Sequence, residues 1–416
     1  MLRKRRKKVI DFPLKTIVEG KTSIIVPDVD AIKEPTSNFP PADAPVFYNK
    51  VMELNRDFAL ATLRVFMKLY DTSKSFLYCE PMAGSGIRSV RVANEIDNLE
   101  VIINDRNPTA VELIKKNVKQ LKLKKKTKVY AEDANSLMLQ YASRGDLFKI
   151  IDIDPFGSPS SFIDSTAQAI RKDGLIAVTS TDMATMCGVY PKACIRKYLS
   201  KPIHSSIAHE ISVRMLIGYT AAGLARHEKA TVPLFAHSTA HYIRIYVLAK
   251  KGITKAKETM AQLGYLAHCQ ECFTIDHSIG IINQLPKTCP NCQTKWLIGG
   301  PYWLGQLYNE KFVTTLESEL SNENSPYNTI KKMRKIVSLV KEEVKTNSSR
   351  KAMIGFYDLH QIADKLNIPS PKLDPTIHEL QDMGFIATRT HFRTNSIKTD
   401  APVDTVIKAM KKILKL

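Results

Sequence analysis

Residues 151–159, IDIDPFGSP, decide how the chain is read. Four residues alternate apolar and acidic, and the acid that ends the run, Asp154, is followed at once by Pro155, Phe156 and Gly157. The pattern predicts a buried strand that stops abruptly in a rigid turn. In open α/β sheets, chemistry collects at the carboxyl ends of strands. A turn there presents a carboxylate, a backbone carbonyl and an aromatic ring. These suit an amino group on a flat base: Asp154 and the Pro155 carbonyl can accept the two amine hydrogens, and Phe156 can stack on the ring. The plain alternative is an Asp-Pro turn with a core phenylalanine, and the three residues alone leave both open.

On either side of this stretch, strands and helices alternate. An apolar strand over 75–80 is followed by Gly84-Ser85-Gly86, which opens a helix to about 96. A strand over 100–103 ends in Asn104-Asp105, and Pro108 starts the next helix, a position where proline is tolerated. A third strand over 127–131 ends in Glu132-Asp133, with a helix over 135–144. Strand 148–153 runs into the quoted turn, then a helix over 161–171 and a strand over 174–179 follow. The alternation predicts a parallel sheet covered by helices on both faces. A long helix over 205–223 and two strands over 230–235 and 241–249, expected as an antiparallel hairpin at the sheet edge, close this part.

The remainder divides around it. Residues 1–45 form an N-terminal extension, Pro-rich and irregular over 11–45 with a β-like piece at 23–27. A helix over 51–70 carries an apolar face, interrupted by the charge of Arg56. Residues 46–254 form the α/β domain and 255–416 a C-terminal α+β domain. In the latter, 318–325 reads as a linker, a basic helix follows from 326, and segments at 358–366, 371–383 and 385–392 suggest a winged-helix-like order of helix, helix, strand.

The 416 residues carry 61 Lys and Arg against 41 Asp and Glu, a net charge of +20 that favours a polyanionic partner. Basic stretches at 122–128 and 331–345 are candidates for phosphate contacts, although most such runs are solvated faces. No apolar run is long enough to span a bilayer, and no membrane partner is expected. The RKRRKK segment at 3–8 is not a secretory signal, since no apolar region follows it.

Of seven cysteines, four stand as Cys269-x2-Cys272, sixteen residues, Cys289-x2-Cys292. This spacing predicts a four-thiolate zinc site, closed and therefore structural. Cys79, Cys187 and Cys194 read as scattered thiols of a reducing compartment, and His268 and His277 beside the cluster as ordinary surface residues.

The strand ends carry a second signal. EPMAGSGIR (80–88) follows the first strand directly, with glycines that let backbone approach a ligand and a helix start polarised positive. Asp105 can accept hydrogen bonds from ribose hydroxyls, and Asp133 can hold an adenine amine. Each could equally be a helix N-cap. In combination the three strand ends are typical of S-adenosylmethionine enzymes.

The chain resembles the tRNA (guanine(26)-N2)-dimethyltransferase family, which modifies guanosine 26 at the junction of the D and anticodon stems. The resemblance rests on FYNKVMELNRD (47–57), AGSGIRSVR (83–91), NDRNPTAVELIKKN (104–117), EDANSLM (132–138), DIDPFGSP (152–159) and TSTDMATMCG (179–188). PKACIRKYL (191–199), YWLG (302–305) and ATRTHF (387–392) extend it. It implies a Rossmann-like class I S-adenosylmethionine-dependent methyltransferase domain followed by the zinc-containing domain with a winged-helix-like, tRNA-binding part. It further implies that Arg56, Arg88, Asp105, Asp133 and Ala134 contact S-adenosylmethionine. Asp154 is then catalytic, in the Asp154-Pro155-Phe156 turn, with Phe47 and Phe156 near the target guanine of tRNA. A monomer in the cytoplasm is the expectation, with a nuclear or organellar address left open by RKRRKK. Two alternatives have their own tests: a DNA or protein amino-methyltransferase of the same fold, distinguished by the acceptor of labelled methyl, and a non-catalytic tRNA-binding protein, distinguished by cofactor titration.

Overall fold

A computed structural model describes residues 10–31, 44–70, 76–239, 241–346 and 352–416, without the side chains of 345 and 346. The basic segment at 3–8 and the side chain of Lys345 lie outside the described residues.

Strands β1 (Leu14–Glu19) and β2 (Thr22–Pro27) precede helix α1 (Glu53–Tyr70). Then follow β3 (Phe76–Glu80), α2 (Ile87–Glu95), β4 (Leu99–Asn104), α3 (Pro108–Gln120), β5 (Thr127–Tyr130), α4 (Ala134–Arg144) and β6 (Phe148–Ile153). After β6 come α5 (Ile163–Ala169), β7 (Ile170–Ser180), the short α6 (Met183–Met186), α7 (Pro191–Tyr198), α8 (Ala208–Ala225), β8 (Lys229–Thr239) and β9 (Tyr242–Lys251). One seven-stranded sheet has the order β5-β4-β3-β6-β7-β9-β8. Its β3–β4, β4–β5 and β3–β6 pairs are parallel, and β8–β9 is the antiparallel edge hairpin foreseen from the sequence. β6 is buried at every residue, as a strand covered on both faces must be. Pro233, which has no N–H to donate, sits in the edge strand β8 at a register shift.

Chain contacts define two compact units, and β7 contributes to both. The first comprises residues 1–154, 168–177 and 319–333. Here the described part of the stretch 11–45 is less irregular than its prolines suggest: β1 and β2 form an antiparallel hairpin, while 32–43 lie outside the described residues. Asn117 of α3 fastens it, bonding both the N–H (2.9 Å) and the carbonyl (2.8 Å) of Ile25. Arg56 does not break the α1 face as an exposed charge would. It is buried, with Glu19 at the end of β1 accepting from its Nε (2.8 Å) and Nη2 (2.6 Å). Fully buried Arg91 joins this network through Asp57 (2.8 Å), whose other oxygen accepts from the Thr329 N–H (3.0 Å). Buried charges so paired specify one arrangement rather than add much net stability.

The second unit comprises residues 155–167, 178–318 and 334–416. It continues with α9 (Ile253–Met260), β10 (Leu263–His268), β11 (Ile275–Ile279), β12 (Leu297–Trp303), α10 (Glu310–Ser321) and α11 (Ile330–Thr346). The chain ends in β13 (Tyr357–Asp358), α12 (Leu359–Leu366), α13 (Leu373–Asp382), β14 (Ala387–Arg389), β15 (Ser396–Thr399) and α14 (Val403–Leu414). Antiparallel sheets β11-β10-β12 and β13-β15-β14 are built here. The expected helix, helix, strand order after 358 is present as α12, α13 and β14, and β13, β15 and α14 complete it.

Two further sequence readings fail at element boundaries. Residues 161–171 were expected helical throughout, but the helix stops at Ala169 and β7 begins at Ile170. A Cβ at Gly174 would lie 2.7 Å from the Ile170 side chain, so this tight turn-like start of β7 depends on glycine. The linker expected over 318–325 is helical to Ser321, because Leu316 and Leu320 keep the buried face of α10 going. Buried Glu343 of α11 accepts from the His391 Nδ1 (2.8 Å) and Thr390 Oγ1 (3.0 Å), joining α11 to the loop after β14. No helix of the described residues is long and apolar enough to cross a membrane.

Candidate active site

The carboxyl ends of β3, β4 and β5 meet around one side chain. Asn104, fully buried at the end of β4, donates to the carbonyls of Pro81 (2.9 Å) and Glu132 (3.0 Å). Its Oδ1 accepts from the Glu132 N–H (2.9 Å), and its carbonyl accepts from the Ala83 N–H (2.8 Å). The loops after three neighbouring strands are thereby held at fixed separation. Next to it, Asp105 accepts from the Gly84 N–H on Oδ2 (2.7 Å) and the Asn107 N–H on Oδ1 (2.8 Å). Burial raises its pKa despite these bonds. Each carboxylate oxygen keeps a second lone pair, enough for a ribose diol.

The glycines of the first loop have distinct reasons. Gly86 caps α2 at φ +76°, and a Cβ there would come within 2.6 Å of Ile114 on α3. A Cβ at Gly84 (φ +53°) would meet the Phe47 carbonyl at 3.1 Å. Close packing of loop, helix and the Phe47 segment requires both. Asp133 proves to be the N-cap of α4, with Oδ1 accepting from Asn135 (3.0 Å) and Ser136 (3.1 Å). It is exposed, so capping leaves Oδ2 for a ligand, and Ala134 beside it is buried.

Beneath the last strand end lies a charge cluster that no local pattern announces. Arg88, 3 % exposed on α2, donates to Asp152 (2.5 Å), Asn55 (2.8 Å) and, very closely, Asp154 Oδ2. The Glu80 carboxylate stands 3.4 Å from its Nε and accepts from the Ser89 N–H (3.0 Å). Burial pushes Glu80 up to about 7, against the pull of Arg88. The Arg88 guanidinium is held well above its ordinary range: burial opposes its charge, but Asp152, Asp154 and Glu80 outweigh it. Asp154 is thus gripped from the buried side through Oδ2, and Oδ1 has no bonded partner among the described residues.

The chain passes into the second unit at the Asp154–Pro155 peptide bond. Pro155 is buried and Phe156 is 74 % exposed, so the ring is no core residue. Gly157 (φ +90°) closes the turn, donating to Thr181 Oγ1 (2.8 Å) and accepting from the Thr181 N–H (3.1 Å). Phe47, in the first unit, is 38 % exposed.

In the second unit, the sulfurs of Cys269, Cys272, Cys289 and Cys292 all lie within 4.8 Å of one another. Two matching knuckles present them. Cys269 N–H donates to the Thr274 carbonyl (2.9 Å) and Cys289 N–H to the Thr294 carbonyl (2.8 Å). Phe273 and Gln293, each following the second cysteine of its pair, share φ +62°. Hydrogen bonds from Thr294 hold the Cys292 thiol down at about 6. Four convergent thiols on paired knuckles fit a closed tetrahedral metal site. His268 is not the surface residue its neighbours suggested: it ends β10 buried, and burial lowers its pKa to about 4.

A family model described as N2,N2-dimethylguanosine tRNA methyltransferase matches residues 20–411. The chain belongs to this family. It is 39 % identical to the tRNA (guanine(26)-N(2))-dimethyltransferase of Methanobrevibacter smithii, covering 97 % of this chain and 98 % of that protein. It is 30 % identical to the tRNA (guanine(26)-N(2)/guanine(27)-N(2))-dimethyltransferase of Aquifex aeolicus, covering 96 % of each. The structure of Trm1 from Pyrococcus horikoshii with S-adenosyl-L-methionine superposes with a TM-score of 0.81 at 32 % identity, over 95 % of this chain and 100 % of that one. The Rossmann-like α/β methyltransferase architecture read from the sequence is the one this dimethylguanosine methyltransferase chain has.

Within this family member, the residues singled out in the sequence fall into two groups. Gly84, Asp105 and Asp133 lie on the β3–β5 strand ends that Asn104 ties together. Arg56 has its donors committed to Glu19 and to the Asn49 carbonyl (3.2 Å). Sequence reasoning missed Asn55, Glu80, Asn104, Asp152 and Thr181. Asn104, Asp152 and Glu80 had a signal, as polar residues in otherwise apolar strands. Of the basic stretches, Lys126 and Lys128 pair with Asp97 (3.0 Å) and Glu100 (2.5 Å), whereas Lys124, Lys125, Lys331 and Lys332 are exposed.

Proposed function

We propose that this chain transfers one or two methyl groups from S-adenosylmethionine to the exocyclic N2 of guanosine 26 in tRNA, giving N2,N2-dimethylguanosine. The observation that carries the reading is Asp154, gripped on Oδ2 by a buried arginine and opening a Pro-Phe-Gly turn, in a chain of this family. Asp105, Asp133 and Ala134 are assigned to the cofactor's ribose and adenine. Arg56 and Arg88, given the bonds they make, shape the walls of its site. When bound, the cofactor supplies an electrophilic sulfonium methyl.

The guanine N2 lone pair is delocalised into the ring, so it must be prepared. Asp154 Oδ1 and the Pro155 carbonyl accept the two amine hydrogens, which favours a pyramidal nitrogen with its lone pair aimed away from them. In-line positioning then supplies much of the rate. Asp154 Oδ1 stabilises the cationic amine and takes its proton. After one transfer, N2 retains one hydrogen for a second round. Guanosine 26 is stacked in folded tRNA and must be flipped out, with Phe156 stacking on it and Phe47 nearby. The residues of 46–254 carry this chemistry. Those of 255–416 carry a structural zinc ion on the four cysteines and a winged-helix-like part that binds tRNA. The enzyme acts as a monomer in the cytoplasm, where its substrate is found.

Mass spectrometry of nucleosides from unmodified tRNA, incubated with the protein and S-adenosylmethionine, tests this. N2-methylguanosine followed by N2,N2-dimethylguanosine is expected, both lost when guanosine 26 is replaced. No methylated guanosine, with cofactor still bound, would overturn the acceptor. Asn104→Ala is expected to weaken cofactor binding about ten-fold, since three loop bonds disappear and leave buried polar groups unpaired. Isothermal titration reads this directly, and unchanged affinity would remove Asn104 from the site.

A further inference from the structure

The short helix α7 presents an unusual outer face. Cys194 and Tyr198, one turn apart, point inward and are buried. Lys192, Ile195 and Arg196 follow the helical spacing i, i+3, i+4 and are exposed, and Leu199, just past the helix end, is exposed as well. Val189 and Tyr190 precede it, also exposed, Tyr190 at 58 %. Leu199, 68 % exposed, adopts φ +51°, a conformation that ordinarily falls to glycine or asparagine. A stripe that alternates aliphatic and cationic residues, led by a tyrosine, is poorly suited to water. Neither Lys192 nor Arg196 has an acidic partner among the described residues.

The helix that carries this face is held to the turn at Gly157 by side chains within the same unit. Ser180 Oγ reaches the Gly157 carbonyl (3.4 Å) and the Tyr198 hydroxyl (3.2 Å). Lys197 pairs with Asp182 (2.7 Å), two residues beyond Ser180. The inner residues of α7 therefore lock it to the loop that carries exposed Phe156, while its outer residues face solvent.

We propose that the Val189–Leu199 face is a tRNA-binding rim of the active site. Lys192 and Arg196 neutralise phosphates, and Tyr190, with Ile195 and Leu199, covers the bases exposed when the target guanosine leaves the stack. The occupant is chosen by charge: two unpaired cations on a +20 chain fit a polyanion, and aromatic rings stack on any base. The inference rests on the tRNA-methylation reading above and adds the surface that engages the RNA.

The test uses the full chain and an unmodified tRNA transcript, native or with 2-aminopurine at position 26. Lys192→Ala with Arg196→Ala is expected to weaken tRNA binding about ten-fold and to reduce the salt slope of log Kd by between about one and two. Tyr190→Ala is expected to leave Kd within about three-fold but to cut both the 2-aminopurine fluorescence rise and kcat about ten-fold. Cofactor affinity, unchanged in all variants, registers that they fold. If the parent methylates guanosine 26 and both variants bind and unstack as it does, this rim is refuted while the enzymatic reading stands. A parent that does not methylate tRNA refutes the reading beneath it. Sedimentation gives a separate refutation: a dimer dispersed by Ile195→Ser would make the face a contact between two copies.

Discussion

Asp154→Asn is expected to lower kcat for N2 methylation by about a thousand-fold, near 4 kcal/mol of barrier, while tRNA and cofactor binding stay within a few-fold of the parent. The asparagine keeps the shape of the side chain and an oxygen for Arg88. It loses the negative charge that stabilises an amine becoming cationic, and it cannot take a proton. The fold should tolerate the change for a reason visible in the cluster. Arg88 retains Asp152 at 2.5 Å and the Asn55 side-chain oxygen Oδ1 at 2.8 Å, so no buried charge is left uncompensated. That matters because stripping a buried ion of its only partner costs about 3–5 kcal/mol. Single-turnover methylation with saturating cofactor measures the chemical step alone. A rate within ten-fold of the parent would show that Asp154 is a turn residue and that another acceptor prepares the amine. A fall in melting temperature that tracks the fall in rate would also sink the role.

The strands that build this site are legible because their burial leaves little choice. FKIIDI and LEVIIN alternate with amphipathic helices, and β6 falls on the residues its pattern indicates. Asp105, Asp133 and Asp154 could be picked out as candidates because strand ends are where such sheets work. The sequence could not say what each would be doing there. Asp133 caps a helix, which is a local property, and the local pattern allowed for it. Arg88 grips Asp154 from sixty-six positions away, and Asn104 spans three loops. Those roles arise only when the sheet brings distant segments together. The same limit explains His268. Next to a cysteine knuckle it reads as solvent-facing, but the β10 pairing buries its ring. At 161–171 good helix formers yield to sheet pairing, which outweighs propensity.

Removing the zinc ion proposed for the four cysteines should have the largest effect on stability. The lobe that carries the four cysteines has a core of only Ala267, Cys269, Cys289 and Trp296, edged by Leu285, Ile298 and the other two cysteines. So little apolar surface cannot offset the ordering of the loop between the knuckles. In comparable small sites the metal contributes about 10–16 kcal/mol of apparent binding energy, available only to the folded form. Chelation, or Cys289→Ser, is therefore expected to release one zinc ion per chain and unfold the knuckles. Two signals separate this from general unfolding. Trp296 donates its indole N–H to the Pro286 carbonyl (2.8 Å) inside the lobe, so its emission should shift to the red. Trp303, bonded to the Gln306 carbonyl (2.9 Å) on β12, should keep its environment. The melting temperature should drop by about 10 °C, as expected for a few kcal/mol in a unit of this size. Because the ligands must be thiolates, metal should leave as pH falls, and Cys187→Ser should change neither metal content nor melting. A zinc-free chain with unaltered Trp296 emission would mean that the hydrogen-bonded knuckles, with Cys269 and Cys289 as plain buried thiols, hold this lobe together without an ion.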